Sequence, residues 1–487
     1  MARRFVVALG AVAVSAVLWH LGTGMRPIPG LALLAPLLVL LLASRVPASL
    51  AFLAGALSWL GGQARMWGYF RDTLEQPVPF TAGLLGGSAL VFGLLITLNR
   101  ALLLRNRPGA AVLAVPAGWV ALEFALSLTG DTGAWWSLAY TQAGVLPLMQ
   151  TVSITGVWGI TFLILLVPSA VAAMVNATGP QRIRIAAPVL ALATAVAAFG
   201  AWHSISPTRT DSVRVGLLAI SQPPDFVPVD SAAGLDMIDR AVVEIESLAD
   251  RGARVIVLPE KSWRADESTL RLLSGPLSEV AARRDIHIVA GLILTRAGVS
   301  VNAAIDYPSG VVYAKHHLVP GLEDDLTPGV DYQPVPGEPW SLAVCFDLDR
   351  PGLVRDNRAL GSTLLLVPAL DFTDDYWLHS RMAVTRGIES GLAVARAPQL
   401  GELTASDARG NVIASARTDI GRTVAVVADL PLSTDRTFYA RFGDWFAYAA
   451  TALFVMVLCT ARISRGHVVG SRQNREPDRA EHDGAVR

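Results

Sequence analysis

Charge is scarce in this sequence. Asp, Glu, Lys and Arg make up only 16% of its 487 residues, and 52% are apolar, whereas a soluble globular chain carries about a quarter of charged residues. An apolar excess of that size needs a bilayer. Lysine is nearly absent: Lys261 and Lys315 are the only two. A GC-rich genome accounts for this, though it makes a lysine inside a motif easy to notice. There is no basic surplus, since 40 Lys and Arg balance 40 Asp and Glu, so nothing points to a nucleic-acid partner. Cysteine is limited to Cys345 and Cys459, which excludes a disulfide framework. An unpaired cysteine outside the cytoplasm is an oxidation liability, so Cys345 is either buried and inert or kept for its reactivity.

The apolar residues are unevenly placed. The first two hundred positions are almost a continuous series of apolar runs, while acidic residues concentrate between Asp211 and Asp435. A spanning helix needs about 20 predominantly apolar residues, and eight stretches qualify: residues 5–21, 28–43, 48–70, 79–98, 111–128, 152–175, 185–202 and 445–461. The first follows Arg3 and Arg4 but leads only into further apolar runs, so it reads as a retained anchor rather than a signal peptide. Arginines fill alternate loops: Arg3 and Arg4, then Arg45, then Arg100, Arg105 and Arg107, then Arg182 and Arg184, then Arg462, Arg465, Arg472 and Arg475. The other set holds only Arg26, Arg65 and Arg71. Basic loops stay cytoplasmic, so both termini are expected inside and the polar block outside. The expected division is a seven-helix bundle over 1–202, an extracytoplasmic domain over 203–437, a last spanning helix over 438–464 and a disordered cytoplasmic tail over 465–487. Glu123 falls inside an apolar run, where an ionisable group is a functional candidate by default; bonding a neighbouring helix is the structural alternative.

From Val213 the pattern changes to short β-branched runs alternating with an amphipathic helix over 232–251. Strands are expected at 213–220, 254–258, 286–294, 311–315, 342–346, 363–367 and 424–429. Nearly continuous apolar strands suggest a sheet covered on both faces, the α/β arrangement. Three residues stand at strand ends: Glu260 after Val255-Ile256-Val257-Leu258-Pro259, Lys315 after Val311-Val312-Tyr313-Ala314, and Cys345 after Leu342-Ala343-Val344. A thiol attacks a carbonyl as thiolate, so it needs a base for its proton and a cation beside the anion. A carboxylate and an amine supply both, and the amine can also stabilise an oxyanion. Each residue alone has a bland reading as helix cap, surface charge or core. Their order and strand context are the specific signal.

That order resembles the nitrilase (carbon-nitrogen hydrolase) superfamily, and the membrane flanks resemble its apolipoprotein N-acyltransferase branch. The motifs carrying the resemblance are Trp119-Val120-Ala121-Leu122-Glu123, Gln150-Thr151-Val152-Ser153-Ile154-Thr155-Gly156-Val157-Trp158-Gly159 and Tyr439-Ala440-Arg441-Phe442-Gly443-Asp444-Trp445. Within the polar block they are Tyr313-Ala314-Lys315-His316-His317-Leu318-Val319-Pro320, then Glu323, and the series His379, Met382, Arg386, Glu389. The resemblance implies a polytopic α-helical membrane bundle plus an α/β nitrilase-like αββα sandwich domain. It implies Glu260 as general base, Lys315 as stabiliser of oxyanion and thiolate, Cys345 as nucleophile, and Glu323, Phe346 and Asp347 as supporting or substrate-binding residues. No cofactor or metal is expected. The implied partners are a phospholipid acyl donor, a diacylated apolipoprotein acceptor and the bilayer of the cell (inner) membrane.

Several positions depart from the family pattern, and they cluster around these residues. Gly321-Leu322 replaces Phe-Gly before Glu323, Asp347 replaces a glutamate, and Pro368-Ala369-Leu370-Asp371 replaces Ser-Asn-Asp. Pro398-Gln399-Leu400-Gly401-Glu402 replaces a segment containing Asn. Lys261 stands where a small uncharged residue is common; it either faces solvent or depresses the basicity of Glu260. The expected activity is phospholipid-dependent N-acylation of the terminal diacylglyceryl-cysteine of lipoproteins. An amide hydrolase, a paralogue with another acyl acceptor, and a scaffold retaining the triad by descent are the alternatives.

Overall fold

The computed structural model describes residues 2–129, 132–206, 211–223 and 226–463, so the expected tail over 465–487 lies outside the described residues. Four helices, Val78–Leu104, Pro108–Ser127, Val157–Asn176 and Gly179–Ile205, are long and apolar enough to cross a bilayer. Twenty residues rise about 30 Å, the thickness of the hydrocarbon layer. The chain is a membrane protein. Val6–Gly22, Leu31–Ala43, Ala48–Gly62 and Trp445–Ala461 are apolar but shorter.

Small residues let these helices approach closely, as is usual without a hydrophobic drive between helices in lipid. A Cβ on Gly118 would lie 2.4 Å from Leu95 and 2.8 Å from Phe454, and one on Gly62 would lie 2.2 Å from Trp19. Aromatic rings fill what remains: Trp59 meets Trp19 at 4.8 Å, Trp119 at 4.4 Å and Phe92 at 5.7 Å. Glu123 is buried among these helices and accepts four hydrogen bonds, from Trp119 Nε1, the Leu138 amide, Ser137 Oγ and Thr161 Oγ1. It ties two helices to the intervening loop.

Two expected spans differ from what is seen. The run over 152–175 is broken at Gly156, whose φ of 63° ends a short turn, Val152–Thr155, before Val157–Asn176 begins. A Cβ there would strike the Tyr439 ring at 2.7 Å, so left-handed backbone and close packing both require glycine. The run over 48–70 stops as a helix at Gly62 and continues as Ala64–Gly68 and a π-helical turn, Tyr69–Thr73. That turn places Tyr69 and Phe70 in the apolar core of the bundle where it faces the polar domain.

The domain is built from two sheets. In one, Val424–Pro431, Ser212–Ala219, Val255–Val257, His287–Arg296, Trp263–Asp266 and Val227–Pro228 lie side by side, with Val299–Tyr307 and Val312–Ala314 paired beyond His287–Arg296. The other runs Val412–Thr418, Gly401–Ser406, Ala393–Pro398, Leu364–Ala369, Trp340–Leu342. Strand alternation sorts side chains between faces. Val215, Leu217, Val255, Val257, Leu364 and Leu366 meet between the sheets. On the far side of the first sheet, Ile256 and Ile288 pack with Ile238, Ile245, Leu273 and Leu277 of helices Ala232–Asp250 and Leu270–Arg284. On the far side of the second, Leu365 and Val367 pack with Leu353, Val354 and Ala383 of helices Pro351–Ala359 and Tyr376–Ser390. The layers are helix, sheet, sheet, helix, and the coverage of both faces explains the continuous apolar strands.

Helix Tyr376–Ser390 joins the two parts. Ala383 faces the second sheet, while Leu378, Met382, Val384 and Ile388 belong to the apolar core of the bundle. Along its bundle-facing side Arg386 reaches the Tyr140 hydroxyl and pairs with Glu389 at 2.7 Å, and Glu389 accepts from the Val157 amide at 2.8 Å. The sandwich therefore sits on the bundle through a buried polar lock.

Candidate active site

The three strand-end residues line one cavity of about 400 Å3. Glu260 and Lys315 come from the first sheet and Cys345 from the second. Glu260 follows Val255–Val257 and is pressed against the neighbouring strand, where a Cβ on Gly291 would lie 2.3 Å from the Pro259 carbonyl oxygen. Lys315 follows Val312–Ala314. Cys345 was expected within a strand over 342–346. Instead the strand ends at Leu342, and Cys345, with φ of 42°, opens a 3-10 turn over Cys345–Asp349. A left-handed backbone at a non-glycine residue is strained; here it turns the chain out of the sheet at the sulfur-bearing residue.

Lys315 is buried, and its Nζ donates to Glu260 Oε1 at 2.9 Å and to Glu323 Oε2 at 2.8 Å. Asn302 Nδ2 donates to the same two carboxylates, at 2.6 Å and 2.7 Å. Glu323 also accepts from the Val319 amide at 2.9 Å and from Lys261 Nζ at 3.0 Å. Lys261 thus faces Glu323 rather than solvent. Burial alone would work against charge on Lys315, but the two carboxylates hold its pKa well above the usual ammonium range. Burial likewise opposes ionisation of Glu323, yet Lys315 and Lys261 outweigh it and hold the pKa below the usual carboxylate range. Two carboxylates and two ammonium groups balance. The Cys345 thiol is pushed up by burial and by Glu260, against the pull of Lys315 and Arg396, so at rest it keeps its proton. It donates weakly to the Leu370 carbonyl at 3.4 Å.

Asp347 braces the turn. Its carboxylate accepts from the Tyr313 hydroxyl at 2.7 Å and the amides of Val344, His316 and His317 at 3.0, 3.1 and 2.9 Å. It therefore stitches the segment after Lys315 to the segment around Cys345. Phe346 lines the cavity beside the sulfur. Asp371 is clamped by both terminal nitrogens of Arg396 and accepts from His379 Nδ1 at 3.2 Å. Asp371, Asp375 and His379 bring ligand-type atoms within 4.8 Å of one another. Arg396 already occupies Asp371, and Tyr69 donates to Asp375 at 2.5 Å, so the cluster works as a hydrogen-bonded brace between sandwich and bundle.

The opposite wall comes from the membrane part: Tyr69, Phe70, Leu74, Phe80 and Trp135. Tyr69 stacks on Trp135 with ring centroids 5.5 Å apart, and Phe70 meets Trp135 edge-on at 5.7 Å. Gln76 Nε2 donates to the Pro320 carbonyl at 2.8 Å and so ties this wall to the loop carrying Glu323. The sequence reading missed Asn302, Tyr69 and Trp135. Asn302 had one signal: an amide beside the apolar run Ala303-Ala304-Ile305 is costly to bury unless paired.

Comparison with known proteins agrees with the motifs. Residues 12–170 match the apolipoprotein N-acyltransferase N-terminal domain. An apolipoprotein N-acyltransferase of Bradyrhizobium diazoefficiens is 28% identical over 421 residues, covering 75% of this chain and 76% of that protein. One of Caulobacter vibrioides is 26% identical over 458 residues, covering 81% of each. Among solved structures, an amidase from Nesterenkonia sp. aligns with a TM-score of 0.38 and 20% identity, covering 49% of this chain and 94% of that one. The family model thus matches the N-terminal bundle, and the relatives align over about three quarters of the chain, so this chain is similar to the apolipoprotein N-acyltransferases along most of its length.

Proposed function

We propose that the chain transfers an acyl group from a phospholipid to the α-amine of the diacylglyceryl-cysteine that begins a lipoprotein, through a thioester on Cys345. The observation that carries this reading is the composition of the cavity wall, polar and catalytic on the sandwich side and aromatic on the bundle side. A small hydrophilic amide has no use for the aromatic side. An acyl chain entering from lipid does.

In the first half-reaction Glu260 takes the thiol proton as Cys345 Sγ attacks the ester carbonyl. Lys315 faces the developing oxyanion, where charge stabilisation is usually the largest catalytic term. The C–O bond breaks, the proton passes to the departing glycerol oxygen, and a lysophospholipid leaves. In the second half-reaction the free amine attacks the thioester carbon, Glu260 accepts an amine proton, and the sulfur departs and is reprotonated. Lys315, held by Glu260 and Glu323, needs no reorganisation in either step. Glu323, Phe346 and Asp347 position these groups.

The topology proposed is eight crossings with both termini cytoplasmic and the sandwich outside. Its support is that Arg105 and Arg107 reach the carbonyls of Ala461 and Thr460, at the end of helix Trp445–Ile463 remote from the sandwich. The short helix Leu31–Ala43 is sheltered by the bundle, with Ala32, Ala35, Val39 and Leu40 fully buried.

The deciding experiment supplies acyl-labelled phosphatidylethanolamine to the purified protein in lipid without acceptor. Labelled protein and lysophospholipid are expected, and a diacylated lipopeptide with a free α-amine should discharge the label onto that amine. Absence of a thioester in a folded preparation, or discharge to water alone with lipopeptide present, would rule the proposal out.

A further inference from the structure

Outside the catalytic cavity, a second concavity of about 510 Å3 opens where the sandwich meets the loop between the first two membrane helices. Arg26 lies in that loop, between Ala2–Gly22 and Leu31–Ala43. Arg417 lies on strand Val412–Thr418 of the sandwich. Both are exposed, and both guanidinium carbons sit against the ring of Tyr376, at 4.5 Å and 3.3 Å from its centroid. Two like charges gathered on one ring repel, and an exposed cation–π contact contributes only about 0.5–1 kcal/mol.

Among the described residues, neither arginine forms an ion pair or donates a hydrogen bond. The groove's one carboxylate, Glu402, stands opposite Arg417 in strand register, yet its ion pair is with Arg381 at 3.9 Å. Both guanidinium carbons are held over the Tyr376 ring, which brings the two groups together while their N–H groups make no hydrogen bond among the described residues. That presents a preorganised fork for an oxyanion, the geometry in which arginine outperforms lysine.

Depth selects the ligand. Arg26 is flanked on both sides by apolar helices, so it sits at the level where lipid headgroups begin, and it stands apart from the arginine-rich loops of the other face. We propose that Arg26, Arg417 and Tyr376 form a binding site for the headgroup phosphate of an anionic phospholipid, separate from the catalytic cavity. The bound headgroup bridges bundle and sandwich at the start of helix Tyr376–Ser390, the helix that carries His379 and Met382 to the catalytic cavity.

The test uses the full chain in a neutral detergent, with native mass spectrometry counting adducts of phosphatidylglycerol, of phosphatidylcholine with the same acyl chains, and of inorganic phosphate. Phosphatidylglycerol should bind about thirtyfold more tightly to the parent chain than to the Arg26→Gln, Arg417→Gln double variant, as expected for two arginines near a lipid surface. Phosphatidylcholine, whose own cation would face the arginines, should bind alike to both. If the double variant does not fold, Arg26→Gln alone decides, because that residue lies in a loop outside the sandwich. Equal retention of phosphatidylglycerol by the variant that is read would overturn the proposal. So would displacement of the lipid by equimolar inorganic phosphate, which would make this a site for a soluble anion.

Discussion

Lys261, the residue after the proposed base, turns its ammonium to Glu323 at 3.0 Å while its own backbone takes a φ of 50°. The strained turn aims the side chain inward, and the pair supplies the second positive charge that balances two carboxylates around Lys315. Without it the cluster would carry a net negative charge beside a thiol that must form an anion. Lys261→Met should therefore slow acylation of Cys345 about tenfold, near the lower end of what a hydrogen bond to a charged group contributes. Lys261→Arg should recover most of that rate. The readout is labelled-lipid uptake under single-turnover conditions, and an unchanged rate in Lys261→Met would assign the lysine to structure alone.

Cys345 should behave as a protected thiol until a carbonyl arrives. Burial and Glu260 push its pKa above the ordinary thiol range, so the thiolate fraction is small at neutral pH and grows as pH rises. Labelling by a small chloroacetamide should increase about tenfold per pH unit between pH 7 and 9 with no plateau, because the thiolate is the nucleophile. Cys459→Ala should label like the parent chain, since that residue lies on the exposed side of helix Trp445–Ile463, toward lipid. Cys345→Ala should not label. A plateau below pH 8 would show that the thiol pKa is depressed instead.

The proposed topology makes its own prediction. A reporter active only outside the cytoplasm should be on when fused after His203 and off when fused after Arg465, in keeping with the arginine distribution. The reverse pattern would place the sandwich in the cytoplasm.

How much of this was legible in the sequence follows from where the information lies. Glu260, Lys315 and Cys345 were visible because each follows a continuous apolar run, and the sandwich covers the strands of those runs on both faces. The strands themselves pointed only to a sheet covered on both faces; the αββα layering was implied by the family resemblance. Gly401–Ser406 and Val412–Thr418 were not anticipated, because Glu402, Thr404, Ser415 and Arg417 give them a loop-like composition. The partner of Lys261 was invisible for a different reason, since it depends on a positive φ that only tertiary contacts enforce. Asn302, Tyr69 and Trp135 reach the cavity from distant parts of the chain, and no local pattern records a meeting of Tyr69 with Asp375 across 306 positions.

The aromatic wall offers the sharpest separation between a lipid donor and a small amide. Phe70 and Trp135 contribute ring surface to the cavity but no group that could move a proton to Cys345. Each ring buries about 150–250 Å2 when enclosed, and a bound acyl chain would cover part of it at about 25 cal/mol per Å2. Trp135→Ala or Phe70→Ala should then lower kcat/KM for phospholipid by about 10- to 100-fold. The rate at which a small chloroacetamide labels Cys345 should change less than about threefold, because that reagent spans only the polar half of the cavity. Tyr69 is unsuited to this test, since its hydroxyl also holds Asp375. Thermal unfolding of each variant in the same lipid distinguishes a lost contact from a collapsed wall. If chloroacetamide labelling and phospholipid acylation fall together in a variant that unfolds like the parent chain, the rings position the catalytic residues and the acyl chain binds elsewhere. If neither falls, the cavity does not take lipid, and the acyltransferase reading loses the observation that carries it.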